Sequence, residues 1–182
     1  MAGLVQVAIP NHLGDAVMAL PYLQYLAARL APRPIRLVGR SLPAKVLDGQ
    51  GPWEAVAPNF LRVPGGAGLL LAPSFRVAWS AWRAGLKVRV GTPTDARSIL
   101  LTHLVQGSVQ TLHQSDVYRL ATDDFLQVLG AARGRPESST LSQPRAASLT
   151  LPARADDLAS SLAGDVPDVL LHPWASGSAD KR

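Results

Sequence analysis

The chain has 182 residues, 47% of them hydrophobic and 17% charged; that suffices for one well-packed domain of ordinary size, falls short of two full ones, and excludes a wholly disordered chain. It holds no cysteine, which excludes a disulfide scaffold, a thiolate metal site and a thiol nucleophile and fits a cytosolic protein. Eighteen basic residues against thirteen acidic give a net charge of +5, but without the dense cationic stripe of a nucleic-acid protein, so the basicity suits anionic small substrates, an anionic membrane surface, or simply a solvated face.

Leu4-Val5-Gln6-Val7-Ala8-Ile9 is a short apolar run ended by Pro10, which predicts a buried strand. Pro10 to Asp15 reads as a loop, with Asp15 at the N-cap position of the helix that follows. Val17, Leu20, Leu23, Leu26, Ala27 and Leu30 recur at helical spacing and predict an amphipathic helix over 16–30, with Pro21 expected to bend or restart it. Ile35 to Gly39 is the next strand, and strand, loop, helix, strand opens a βαβ unit with a parallel sheet. The first cation is Arg29, and Asn11, His12 and Asp15 interrupt the N-terminal apolar run, so neither a signal peptide nor a membrane span is expected.

From Leu42 to Gly68, repeated Gly and Pro predict a short helix plus loops. Leu69–Ala72 follows as a central strand, Phe75–Ala84 as a helix, Lys87–Val90 as a strand closed by Gly91, and Ser115–Leu129 as a helix ended by Gly130. Residues 130–152 read as a surface connection, Ala153–Ala163 as a helix and Val166–His172 as one more strand. The alternation predicts an α/β fold, a Rossmann-like parallel sheet flanked by helices.

No G-x-G-x-x-G follows the first strand, no phosphate-binding P-loop is present, and Gly65-Gly66-Ala67-Gly68 precedes a strand where such a loop would follow one. His12, His103, His113 and His172 lack metal-ligand spacing, so no metal is expected. The loop after the first strand is the informative one, because open α/β sheets bind ligands at the carboxyl ends of their strands. Its carboxylate, Asp15, is the only charged residue among the first 28; it reads either as a helix cap or as a general base at a cleft mouth, with Gly14 allowing close approach of a ligand. Asn11 and His12 stand beside it as candidate acceptor contacts. His113 reads equally as a buried, satisfied histidine or as a ligand contact, and Trp79 and Trp82, three apart on a helix, read as packing before sugar stacking.

Four blocks carry a family resemblance. Val7 to Pro21, with Leu13-Gly14-Asp15 and Leu20-Pro21, resembles the opening of the family 9 glycosyltransferases, the ADP-heptose:lipopolysaccharide heptosyltransferases, above all the heptosyltransferase II branch. Leu71 to Arg76 with Ala84 to Gly91 is similar to the family's second block, and His113 with Val117 and Tyr118 to its third. His172 to Arg182 resembles the block that opens the sugar-nucleotide domain, with Trp174 where the family usually has glycine. The stretch between Asp48 and Leu69 looks shorter than usual for the family.

The resemblance implies the N-terminal, acceptor-side domain of a GT-B fold over residues 1–152, then a linker helix and the first strand and loop of a truncated sugar-nucleotide domain over 153–182. It implies an inverting, metal-independent transfer of a heptose-like sugar from an ADP-sugar, with no cofactor, to a lipopolysaccharide-core-like glycolipid acceptor. Asp15 matches the family's catalytic base, Asn11, His12, Gly14 and His113 fall at acceptor-side positions, and Ser176, Gly177, Ser178 and Lys181 match the loop that holds the departing diphosphate. A cytoplasmic location, with peripheral contact to the inner membrane face, is expected. Because the match covers only the first half of a family member, the chain alone is expected not to turn over. The alternatives are a non-catalytic acceptor-binding remnant or a half-enzyme completed by a second chain.

Overall fold

The apolar runs pair into one six-stranded, all-parallel sheet in the computed structural model of the chain, which describes residues 3–54, 56–63, 65–94, 96–106 and 111–130. The strands are β1 (Val5–Ala8), β2 (Ile35–Val38), β3 (Val56–Ala57), β4 (Ala67–Leu70), β5 (Val88–Gly91) and β6 (His103–Leu104), in the order β3-β2-β1-β4-β5-β6. The helices are α1 (Leu13–Leu30), α2 (Ser41–Leu47), α3 (Phe75–Arg83) and α4 (Gln114–Val128), with a 3-10 turn over Arg97–Leu100. This is the α/β, Rossmann-like sheet flanked by helices that the alternation predicts.

β1 is central, with Val7 opposite both Leu37 of β2 and Leu69 of β4. Side chains alternate across the pleat. Val7, Ile9, Leu37, Leu69 and Val90 therefore pack against α1 and α4, whose Leu20, Leu23, Leu26 and Phe125 complete the larger core. Ala8 and Leu70 point the other way, against Ala78 and Ala81 of α3. The sheet is thus covered on both faces, which is why its strands read as continuous apolar runs.

Several boundaries move from their predicted places. The first helix begins at Leu13 with His12 as its N-cap residue, so Asp15 stands in the first turn and is not the cap. A carboxylate there still complements the helix dipole. Pro21 neither restarts nor ends α1: Ala16, Ala19 and Leu20 before it and Leu23, Leu26, Ala27 and Leu30 after it are buried on one continuous face, and that burial offsets a proline cost of about 3 kcal/mol. β4 starts two residues earlier than predicted, at Ala67. Gly68 inside it breaks the apolar run because a Cβ there would stand 2.8 Å from Leu86 Cδ1. Gly91 belongs to β5 and does not close it. β3, β6 and the 3-10 turn have two to four residues each, too short for any periodicity to show. The surface connection expected over 130–152, the helix over 153–163 and the strand over 166–172 lie, apart from Gly130, outside the described residues.

One buried polar residue lies in the central strand. Gln6 is fully buried; its Nε2 donates to the Leu61 carbonyl at 2.8 Å and its Oε1 accepts from the Leu61 N–H at 2.7 Å. This pair ties the segment between β3 and β4 across the sheet. Replacing Gln6 by Met keeps the volume and removes both bonds, and the expected loss is about 1–3 kcal/mol, read as a lower urea midpoint with an unchanged slope.

Candidate functional site

In a sheet of this order the chain leaves β1 and β4 toward opposite faces, and a crevice opens at their carboxyl ends. A cavity of about 570 Å³ lies there, within the range of small-molecule sites. Asn11 after β1, Arg40 and Ser41 at the start of α2, Asn59 after β3, and Ser74, Arg76 and Ser80 around the start of α3 line it, over an apolar floor that includes Ile9, Val38 and Val77. Ser74 precedes α3 without a side-chain capping bond, and α3 turns its N-terminal end to the cavity. Two guanidinium groups, hydroxyls, amides and a helix N-terminus suit oxyanions. Among the described residues no three His, Asp or Glu side chains gather closely enough to hold a metal ion.

On the other face of the same sheet edge, Asp15 is half-buried on the first turn of α1, after the exposed His12 and Gly14. The space where a Cβ of Gly14 would sit is open, as close approach of a ligand requires. α1 packs against α4, and this brings Asp15 near Tyr118. Burial, with the charge of Asp15 adding to it, pushes the Tyr118 hydroxyl above its ordinary range, while a hydrogen bond with the Gln114 side chain works the other way. Tyr118 therefore stays protonated through the physiological range, a neutral hydroxyl in the neighbourhood of the carboxylate.

His113 is neither buried nor in the cavity. It is exposed as the N-cap residue of α4, its Nδ1 accepting from the Ser115 N–H at 3.3 Å and lying 2.7 Å from Ser115 Oγ. Trp79 and Trp82 are not core packing either: both are exposed on the outer side of α3. Ser176, Gly177, Ser178 and Lys181, with Trp174, lie outside the described residues. The structure thus gathers Asn11, His12, Gly14 and Asp15 at one sheet edge, and adds Arg40, Ser41, Asn59, Ser74, Arg76, Ser80 and Tyr118 to them. Arg40 and Ser74 each stand within a few residues of the carboxyl end of a predicted strand, the one signal by which the sequence could have marked them.

Behind the cavity, Arg97 is fully buried. Its Nε donates to the Thr92 carbonyl at 2.8 Å, one terminal nitrogen to Thr92 Oγ1 at 2.7 Å, and the other to the Ala72 carbonyl. The guanidinium so joins the chain after β5 to the β4–α3 turn that carries Ser74. Ala96, just before it, has a left-handed φ of 53°, a conformation that costs a non-glycine residue free energy and is held by its surroundings.

Sheet order, a cavity suited to oxyanions at the switch point and a carboxylate on the first turn after β1 define a Rossmann-like α/β unit with its candidate site at the carboxyl edge. Its fold is similar to that of known sugar transferases. The E. coli ADP-heptose lipopolysaccharide heptosyltransferase II matches with a TM-score of 0.60 at 17% identity, over 87% of this chain and 50% of that one. The E. coli heptosyltransferase WaaC, solved with ADP, matches with 0.57 at 15% identity, over 75% and 49%. The glycosyl transferase family 9 protein of Veillonella parvula DSM 2008 matches with 0.54 at 17% identity, over 72% and 42%. The likeness is one of fold, and the chain spans about half the length of these structures or less. No family model and no curated protein matches the sequence.

Proposed function

We propose that the chain is the acceptor-side part of a heptosyltransferase-type glycosyltransferase, which transfers a heptose-like sugar from an ADP-sugar to a lipopolysaccharide-core-like acceptor with inversion and without a metal. The observation that carries this is the arginine-bearing cavity at the carboxyl edge of a sheet whose fold is similar to that of heptosyltransferases, with Asp15 on the other face of the same edge. Asp15 takes the proton from an acceptor hydroxyl as that oxygen attacks the anomeric carbon. The new C–O bond forms on the face opposite the departing ADP, whose phosphate oxygen keeps the electron pair of the broken bond. Tyr118 stays neutral near the Asp15 carboxylate and puts no second negative charge there. Arg40 and Arg76 hold an anionic group of the acceptor, with Asn11 and the serines completing its hydrogen bonds. By the family resemblance, Ser176, Gly177, Ser178 and Lys181 hold the diphosphate of the donor, and no cofactor takes part.

The acceptor role is tested by titrating the chain with a heptose-free, deacylated lipopolysaccharide core oligosaccharide. Saturable binding that weakens at least about tenfold in Arg40→Gln/Arg76→Gln is expected, since a hydrogen bond to a charged group contributes about 1.5–3 kcal/mol; equal binding by both proteins contradicts it. Titration with ADP separates transfer from acceptor binding alone. Saturable binding that is lost in Lys181→Ala supports transfer, whereas no binding supports a non-catalytic acceptor-binding module.

A further inference from the structure

Among the described residues no element covers the rings on the outer side of α3, and these rings take no part in the cavity. Phe75, Trp79 and Trp82 follow one another at i, i+4 and i+7, which confines their rings to an arc of about 60° on a helix. They are 41%, 42% and 48% exposed and stack in series, with ring centroids 6.4 Å and 4.9 Å apart. Ile99, on the 3-10 turn packed beside α3, is 84% exposed. Arg89 fixes that turn in place, donating to the carbonyls of Leu86, just after α3, and Leu100, at the end of the turn.

The charged residues on α3 and from there through β5 have one sign. Arg76 and Arg83 fall on its cavity-side flank, Lys87 follows α3, and all three are exposed. None of them is paired with a carboxylate of the described residues. Residues 55–94 contain Arg62, Arg76, Arg83, Lys87 and Arg89 and no acidic residue at all.

Half-exposed indoles flanked by unpaired cations match the bilayer interface, where amphipathic rings sit at headgroup depth and basic side chains meet anionic lipid. Among the described residues no helix is long and apolar enough to cross a membrane. We propose that the outer face of α3, with Phe75, Trp79, Trp82 and Ile99 as the apolar stripe and Arg83 and Lys87 as the cationic rim, docks the protein on an anionic lipid bilayer. The inference stands on α3 alone and does not require sugar transfer. Docking there would bring the cavity to about one helix diameter, some 10 Å, from the headgroups, since Arg76 and Ser80 of the same helix line it.

The test is co-sedimentation of the full chain with vesicles of phosphatidylcholine containing about one-third phosphatidylglycerol, against pure phosphatidylcholine, at low and high salt, with no sugar or nucleotide present. Binding to the anionic vesicles that high salt releases is expected. Trp79→Ser/Trp82→Ser should lower the partition at least tenfold, and Arg83→Gln/Lys87→Gln should lower it about fivefold per cation on anionic vesicles only. The second pair changes no apolar contact and keeps the test valid if the first disturbs folding. Equal partition onto both vesicle types, no partition onto either, or unchanged partition of the variants overturns the proposal. So does a concentration-dependent dimer that Trp79→Ser/Trp82→Ser abolishes while vesicles bind nothing, which would assign the stripe to a second copy of the chain.

Discussion

Asp15→Asn, placed in a complete two-domain version of the protein, is expected to lower sugar transfer by about 10²–10⁴-fold, the contribution of a positioned general base, while thermal stability and acceptor binding stay close to those of the unaltered protein. Asparagine has the shape of aspartate and keeps an acceptor oxygen at the start of α1, but it cannot take up the proton of an attacking hydroxyl. Asp15 lies on the α1–α4 side of the sheet edge, whereas Arg40 and Arg76 line the cavity on the α3 side. Removing its charge should therefore act on kcat and spare acceptor affinity. The measurement is ADP release with ADP-heptose as donor, alongside titration of the acceptor oligosaccharide. Turnover unchanged by the substitution contradicts the assignment of the base, and a parallel loss of acceptor affinity would make Asp15 a binding residue.

Arg97→Ala is expected to lower stability by about 3–5 kcal/mol. The substitution removes a fully buried side chain and its three hydrogen bonds, leaving the Ala72 and Thr92 carbonyls only the N–H groups of Ser74 and Thr94 and taking the guanidinium donor from Thr92 Oγ1. It also leaves Ala96 in its left-handed conformation with less to hold it there. A native stability of about 5–15 kcal/mol makes that loss a large share of the whole. Urea unfolding followed by circular dichroism measures it. Arg97→Lys should recover less than half, because an ammonium cannot reproduce the planar fork that reaches three acceptors. A loss below 1 kcal/mol would show that the joined loops are held by something else.

The main elements were legible because each has its own pattern. Val5–Ala8, Ile35–Val38 and Val88–Gly91 are apolar runs bounded by turn residues, and α1 and α4 carry apolar residues at helical spacing. Asp15 was legible as the single early charge after a strand, and the fold likeness to heptosyltransferases agrees with the blocks that surround it. The cap of α1 was not: Leu13 and Gly14, both exposed, carry no helix-start signal, yet the first helical bond runs from the Ala16 N–H to the His12 carbonyl. Trp79 and Trp82 misled for a related reason, since spacing locates a stripe on a helix without saying which side the sheet takes. Small Ala78 and Ala81 take the buried side, where α3 lies close on the sheet.

Taken alone, the sequence determined the strand and helix succession, hence a parallel α/β sheet, and the carboxylate after its first strand, because both depend on neighbours near in the chain. Only the tertiary structure decided which distant residues meet. Arg40 and Arg76 share a cavity because β1 and β4 send the chain to opposite faces. Tyr118 comes within range of the charge of Asp15 because α4 returns to pack on α1. Arg97, an ordinary cation in the sequence, becomes a buried fastener because three oxygens from the turns just after β4 and β5 converge on it. Such long-range convergence leaves no periodic trace in sequence, since it depends on strand order and crossover side rather than on the residues adjacent to each participant.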